Sequence, residues 1–171
     1  MFKRHSKRGF TLVETVVCIF ILVLLAVLVI DLLLNMTRSL YHFQANRRVA
    51  HTAEVVLGRL DREIKKAKSV DVFSSVIGSQ PGKLVLNTKD ESGNDTTIQF
   101  YLSGGALMVK EGNNTPATST DATVAVSQLI FRTVGTSASE AVKIELILVD
   151  QGIANMAAVN FYRTAVLRGS Y

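Results

Sequence analysis

Residues 16–30 of this 171-residue chain carry no charge, and after the single acid Asp31 the apolar run resumes over residues 32–34. A helical stretch of that length and composition belongs in a hydrocarbon layer or against other apolar helices. The nine residues before Phe10, MFKRHSKRG, are short and basic. Under the positive-inside rule such a flank stays on the cytoplasmic side, which places the bulk of the chain outside: N-in, C-out, with a single pass.

The same basic flank accounts for most of the net charge. Lys3, Arg4, Lys7 and Arg8 supply four of the five formal positive charges, so the remainder of the chain is close to neutral. A general nucleic-acid reading needs basic residues spread over a docking face and loses most of its support once the charge is located, leaving only weak local contacts by basic residues near a helix end. The 48% hydrophobic content excludes a disordered polymer. Cys18 is the single cysteine and lies inside the apolar run, so no intramolecular disulfide is available and the thiol reads as a small apolar side chain.

A secretory signal would close its apolar core with a small-x-small cleavage site. Here Ile30 is followed by Asp31, Leu32, Leu33, Leu34, Asn35 and Met36, which offers no such site. The apolar segment is therefore expected to be retained, and the residues just before it become the informative ones. They read Lys7, Arg8, Gly9, Phe10, Thr11, Leu12, Val13, Glu14.

This KRG-FTLVE run, followed by a long apolar helix, resembles the processing site of type IV prepilins. The resemblance implies cleavage between Gly9 and Phe10 by a prepilin peptidase, which then methylates the new amine on Phe10. It also implies that Glu14 pairs with the N-terminal amine of a neighbouring subunit during assembly. The physics agrees: a carboxylate beside an apolar helix destined for a filament core is costly to bury without a partner, and cleavage creates a cationic one. Such a pair acts more as a register device than as a source of stability. Thr11-x-x-Glu14 also fits a helix capping box, and an acid in the first turn suits the helix dipole. The two roles are compatible.

Beyond Leu34 the chain turns polar but keeps a helical rhythm, with Val49, Ala53, Val56, Leu60, Ile64 and Ala67 spaced by three or four. Arg47, Arg48, Glu54, Arg59, Asp61, Arg62, Glu63, Lys65 and Lys66 decorate the other faces as a solvated surface, with Asp61 and Lys65 placed for an i,i+4 pair. No proline interrupts residues 10–68, so one helix about 90 Å long is expected, with Gly58 a weak point and not a stop. Asp31 then falls about 32 Å from Phe10, level with the outer headgroups. Many major pilins carry a kinking proline at that place, and its absence leans toward a minor pilin or pseudopilin.

After Asp71 the pattern alternates. Strands are expected near residues 83–88, 96–102, 106–110, 124–134, 142–149 and 158–167. Hairpin turns are expected at Ser103-Gly104-Gly105 and at residues 91–95. The sheet needs an apolar face to cover, and the helix stripe supplies one. The expected fold is α+β: a long N-terminal α-helix, transmembrane in one half and amphipathic in the other, packed on a C-terminal antiparallel β-sheet domain in the lollipop form of pilins. The corresponding divisions are a removed basic leader at 1–9, a transmembrane and assembly half at 10–34, an amphipathic half at 35–70, and an extracytoplasmic β-rich domain at 71–171. TTIQFYLSGGALMVKEG, VSQLIFRTVG and AVKIELILVD are similar to stretches of the J-type minor pseudopilins of type II secretion, and FYRTAVLRG to the last strand of many pilin-like proteins.

Several residues invite chemistry and are read as structure. Asp90, Glu91, Asn94 and Asp95 offer hard oxygens for calcium, but their spacing is not that of an EF-hand loop and a solvated hairpin tip is preferred. His5, His42 and His51 are isolated, with no ligand partner at metal spacing. Residues 112–123 read as an exposed loop. No metal or other cofactor is expected.

The functional expectation is a non-enzymatic structural subunit of a type IV pilus-like or type II secretion filament. Its implied partners are the prepilin peptidase/methyltransferase, other pilin or pseudopilin subunits, an inner-membrane assembly platform and the lipid bilayer, with DNA only if the filament is a DNA-uptake pilus. The implied location is the cytoplasmic (inner) membrane, then a periplasmic or cell-surface filament. The alternative is a bitopic, membrane-anchored extracytoplasmic binding module that never polymerises. An enzyme is disfavoured by the absence of G-x-S-x-G, H-E-x-x-H, paired cysteine ligands and a phosphate-cradling glycine loop.

Overall fold

The computed structural model describes residues 11–90, 92–136, 139–153 and 156–167. The chain divides into two compact units, Met1–Tyr41 and His42–Tyr171. The dividing point falls inside the one long helix, α1, Leu12–Lys66.

In the first unit the described residues are Thr11 and the N-terminal part of α1. Thr11 caps the helix: the Glu14 backbone N–H donates to its Oγ1 at 3.3 Å, using one of the four donors that a helix start leaves unpaired. No proline or glycine interrupts the apolar segment beyond the cap, and its leucines, valines and isoleucines hold a regular helix.

In the second unit α1 acquires a buried stripe. Val49, Ala53, Val56, Leu60, Ile64 and, just past the helix end, Ala67 are all buried, joined by Ala45 and Leu57. The expected i,i+4 pair forms between Lys65 Nζ and Asp61 Oδ2 at 2.8 Å. The helix stops at Lys66, two residues short of the expected end, because the Lys68 N–H is taken by the Asn87 carbonyl at 2.8 Å. That bond leads the chain into β1 (Ser69–Val70), which pairs with β2.

The expected antiparallel β-rich domain is present, its strands divided between two sheets. β1, β2 (Lys83–Lys89), β3 (Asp95–Ser103), β4 (Ala106–Glu111) and β5 (Ala117–Thr118) form an antiparallel five-stranded sheet in chain order. β6 (Val124–Thr136), β7 (Ser139–Asp150) and β8 (Val159–Val166) form a separate three-stranded antiparallel sheet. All six expected strands are present. The two short strands β1 and β5 were not anticipated, and β5 lies within the segment read as an exposed loop.

Alternation decides which side chains enter the core. Leu84 and Leu86 of β2, Ile98 and Phe100 of β3, and Leu107 and Val109 of β4 are buried, as are Val142, Ile144, Leu146 and Leu148 of β7. In β6 the buried residues change parity, from Val124 and Val126 to Leu129 and Phe131. A register irregularity between Val126 and Gln128 absorbs the extra residue and returns the apolar side chains to one face. These side chains and the α1 stripe form one hydrophobic cluster within the second unit.

Two glycine positions matter to this arrangement. β3 and β4 are joined by Gly104 and Gly105 alone, with φ of 60° and 77°, the left-handed backbone that a two-residue hairpin requires. Gly82 lies against β6, donating its N–H to the Leu129 carbonyl at 2.9 Å. A Cβ there would meet the same oxygen at 2.7 Å. With the Gly78 N–H on Phe131 O at 2.7 Å and the Val126 N–H on Gly105 O at 2.7 Å, the β2 approach and the β3–β4 turn cover the edge of β6 that β7 does not.

Candidate assembly site

Gly9 and Phe10, the expected cleavage point, lie outside the described residues. Glu14 is described. It occupies the first turn of α1 and is exposed, and its carboxylate makes no ion pair among the described residues. Thr11 and Glu14 thus stand at the N-cap and N3 positions anticipated for them, with the backbone half of the capping arrangement formed.

Over residues 15–34 the helix is an apolar rod broken by charge only at Asp31, and its side chains are exposed. An 18-residue window of α1 reaches a mean hydropathy of 3.4, and none of it is buried. Leu12 is 81% exposed, Phe20 67% and Leu32 68%, and Cys18 is exposed too. A soluble monomer does not leave a contiguous apolar surface of this extent in water. Residues 12–34 span about 33 Å along the axis, close to the hydrocarbon thickness of a bilayer. The rod is therefore built for lipid, for other apolar helices, or for each in turn.

The first unit contains two charged residues beyond Glu14 that matter for such surroundings. Asp31 interrupts the apolar run and Arg38 comes after it, both exposed and both without an ion pair among the described residues. In hydrocarbon or in a helix bundle a charge of this kind needs a counter-charge or access to water.

In the second unit the polar groups are engaged within the domain. Arg48 donates from Nε to Asp150 Oδ2 at 3.0 Å and from Nη2 to Oδ1 at 3.3 Å, a two-pronged pair that ties α1 to the end of β7. The Asp150 side chain is fully buried, and the Gly152 N–H adds a donor at 2.8 Å. Arg48's hydrogen bond holds the Asp150 carboxyl below the usual aspartate range, outweighing the upward push of burial, and Arg48 is raised in return. Arg59 binds Glu111 on β4 at 2.9 Å, and Arg163 on β8 lies 3.7 Å from Asp61. Nothing in the sequence pointed to the Arg48–Asp150 pair, whose members are 102 residues apart.

At the 90–95 turn the Asp90 carboxylate is spent on its own loop. It accepts the backbone N–H groups of Ser92 at 2.9 Å and Asn94 at 2.8 Å, and the Asn94 side-chain amide at 3.3 Å. These bonds, the Asn94 backbone N–H first, hold its carboxyl below the ordinary value. Among the described residues no group of three or more His, Cys, Asp and Glu side chains is placed to hold a metal, and His42 and His51 are both exposed on α1.

Comparison with known proteins bears on the segment where the sequence and the exposed rod converge. Residues 4–30 match the family model described as the prokaryotic N-terminal methylation motif. The match takes in Gly9, Phe10, Glu14 and the apolar run to Ile30, and it supports a type IV pilin-like protein processed by prepilin peptidase. No curated protein and no solved structure matches the chain.

Proposed function

We propose that this chain is a non-enzymatic structural subunit, a minor pilin or pseudopilin, of a type IV pilus-like or type II secretion filament. In this reading it is inserted in the inner membrane with its basic leader inside and its β-rich domain outside. Prepilin peptidase cuts between Gly9 and Phe10 and methylates the Phe10 amine. The subunit then leaves the bilayer through the assembly platform and packs its N-terminal helix among those of other pilin or pseudopilin subunits.

The observation that carries this reading is the conjunction of the methylation motif at residues 4–30 with an exposed apolar helix that begins at Leu12. A membrane anchor alone needs the apolar length and nothing more. Glu14 is the residue that asks for assembly, since an unpaired carboxylate at the start of an apolar rod gains a partner only when another chain brings a cation to it. The likeness of residues 96–112, 126–135 and 141–150 to J-type minor pseudopilins favours the secretion filament within this reading.

Glu14→Ala is the test. The variant is expected to insert and to be cleaved normally, but to be depleted from sheared filaments, scored by immunoblot against the whole-cell level. Incorporation equal to wild type would remove Glu14 from the assembly mechanism or mark the protein as a tip subunit.

A further inference from the structure

β8 is an outer strand of the three-stranded sheet, and its pairing with β7 fixes which of its backbone groups are spent. The Leu167 N–H donates to the Glu140 carbonyl at 2.9 Å, so those two residues form a hydrogen-bonded pair. Opposite residues of an antiparallel ladder alternate between bonded and non-bonded. Ala165, Arg163, Phe161 and Val159 therefore turn their N–H and C=O groups to β7, whereas Val166, Thr164, Tyr162 and Asn160 turn theirs to the open side. The same alternation carried across the sheet aims the Leu129 and Phe131 carbonyls of β6 outward, and Gly82 and Gly78 meet them there. At β8 the counterpart is missing: among the described residues no hydrogen bond reaches the outward backbone groups of Asn160, Tyr162, Thr164 or Val166, and all four residues are exposed.

The other outer strands are short or met by loops. β1 and β5, which flank the five-stranded sheet, have two residues each, and β6 is met by Gly78, Gly82 and Gly105. β8 has eight residues, no proline or glycine, and no register shift against β7, so it lacks the shortness, the proline and the bulge that ordinarily blunt an edge. Its one charged side chain, Arg163, reaches back to Asp61 of α1 at 3.7 Å. Outward N–H and C=O groups that recur about every 6.8 Å along an extended chain are complemented by another extended chain. We propose that the β8 edge receives a strand from a different pilin or pseudopilin subunit of the same filament, so that the sheet continues across the two chains.

The proposal rests on the filament reading above and deepens it by naming a contact surface outside the N-terminal helix. A second copy of this chain is the poorer occupant. The antiparallel self-pairing that engages Asn160, Tyr162, Thr164 and Val166 all at once sets Arg163 directly opposite Arg163, and like charges in that position repel. Charge points instead to an unlike strand. Asp61 already binds Lys65 at 2.8 Å, so one carboxylate serves two cations and the edge carries a surplus positive charge at Arg163. An incoming strand with an acidic residue opposite Arg163 neutralises it. On the other face of the strand Tyr162 and Val166, 63% and 43% exposed, offer apolar surface to alternate side chains of the same partner.

The test uses the full chain in cells with an active assembly system. Photoreactive benzoylphenylalanine replaces Tyr162 or Thr164 in turn, sheared filaments are irradiated, and the cross-linked peptides are identified by mass spectrometry. Both positions are expected to cross-link to one segment of another chain that has its own N-terminal methylation motif, at residues about two apart, the period of a strand. Separately, Thr164→Pro removes an outward N–H and spares the bonds to β7, a change that an edge strand tolerates. It is expected to weaken the cross-link from position 162 at least about tenfold, through the lost donor and the ring in its place. Thr164→Val keeps the N–H and should leave that cross-link unchanged. If the proline variant does not accumulate, the cross-links decide alone, since they leave the backbone intact. Cross-links to this chain's own peptides only, cross-links to a partner's helix, or equal yields from the proline and valine variants would overturn the proposal. The N-terminus is read on the same samples. A chain still carrying its leader defeats the filament reading, whereas a chain that begins at Phe10, assembles and gives no cross-link from either position defeats this inference alone.

Discussion

Leu60→Ala tests whether the second half of α1 is the central member of the β-rich unit's core. Leu60 is 0% exposed, in the middle of the buried stripe, and belongs to the cluster that includes Leu84, Phe100 and Phe131. Truncation to alanine removes the equivalent of three methylenes at about 0.8 kcal/mol each, about 2.4 kcal/mol of transfer free energy. A cavity term adds to this, and the neighbours that would have to move to fill it sit on a helix and two hydrogen-bonded sheets. Limited collapse places the total near 4 kcal/mol, within the range known for buried leucines. All of the buried core lies in residues 45–167, so a fragment beginning at His42 is expected to fold alone and to unfold cooperatively in urea. With a slope of about 1.5 kcal/mol/M, its midpoint should fall by roughly 2.5 M in the variant. Val55→Ala, on the same helix but 52% exposed, should shift stability by no more than about 0.5 kcal/mol. Equal effects of the two substitutions, monitored by far-UV circular dichroism, would refute the assignment of the packed face.

Two further outcomes concern the second unit. The depressed Asp150 carboxyl contributes stability that is complete above the ordinary aspartate range, near pH 4, and is lost as pH falls through its lower folded value. Asp150→Asn should therefore lower stability at pH 7 by about 1–3 kcal/mol and make the acid limb shallower, though not flat, because Asp71, Asp90, Asp121 and Glu145 are depressed as well. An acid limb identical to wild type in pH-dependent urea melts would contradict this. Glycine substitutions should part company: Gly82→Ala drives a methyl into the Leu129 carbonyl and is expected to destabilise by about 1–3 kcal/mol. Gly58→Ala, in the helix with nothing within 4 Å of the added carbon, should stabilise by about 0.5–1 kcal/mol, both read as shifts in Tm.

The helix stripe was legible because its spacing is enforced by a single local period, and Val49, Ala53, Val56, Leu60, Ile64 and Ala67 are all buried as that period requires. The long strands were legible for the same reason, with period two. The features that escaped are those that local patterning does not encode. The division into two sheets depends on Gly78 and Gly82 reaching β6 some fifty residues on, and on the irregularity at Val126 and Gln128 that lets one strand keep its apolar face. β1 and β5 are two residues each, too short to show alternation. The Arg48–Asp150 pair joins chain segments that only the tertiary fold brings together. At the assembly site the cap at Thr11 and the exposed apolar rod were readable from composition and spacing, since no tertiary contact is involved in either.

Intact-mass and N-terminal analysis of the protein recovered from cells with active prepilin peptidase tests the central claim most directly. The account predicts a chain that begins at Phe10, lighter by residues 1–9 and heavier by one methyl group on the terminal nitrogen. A chain that retains Met1 and its basic leader under those conditions would contradict it.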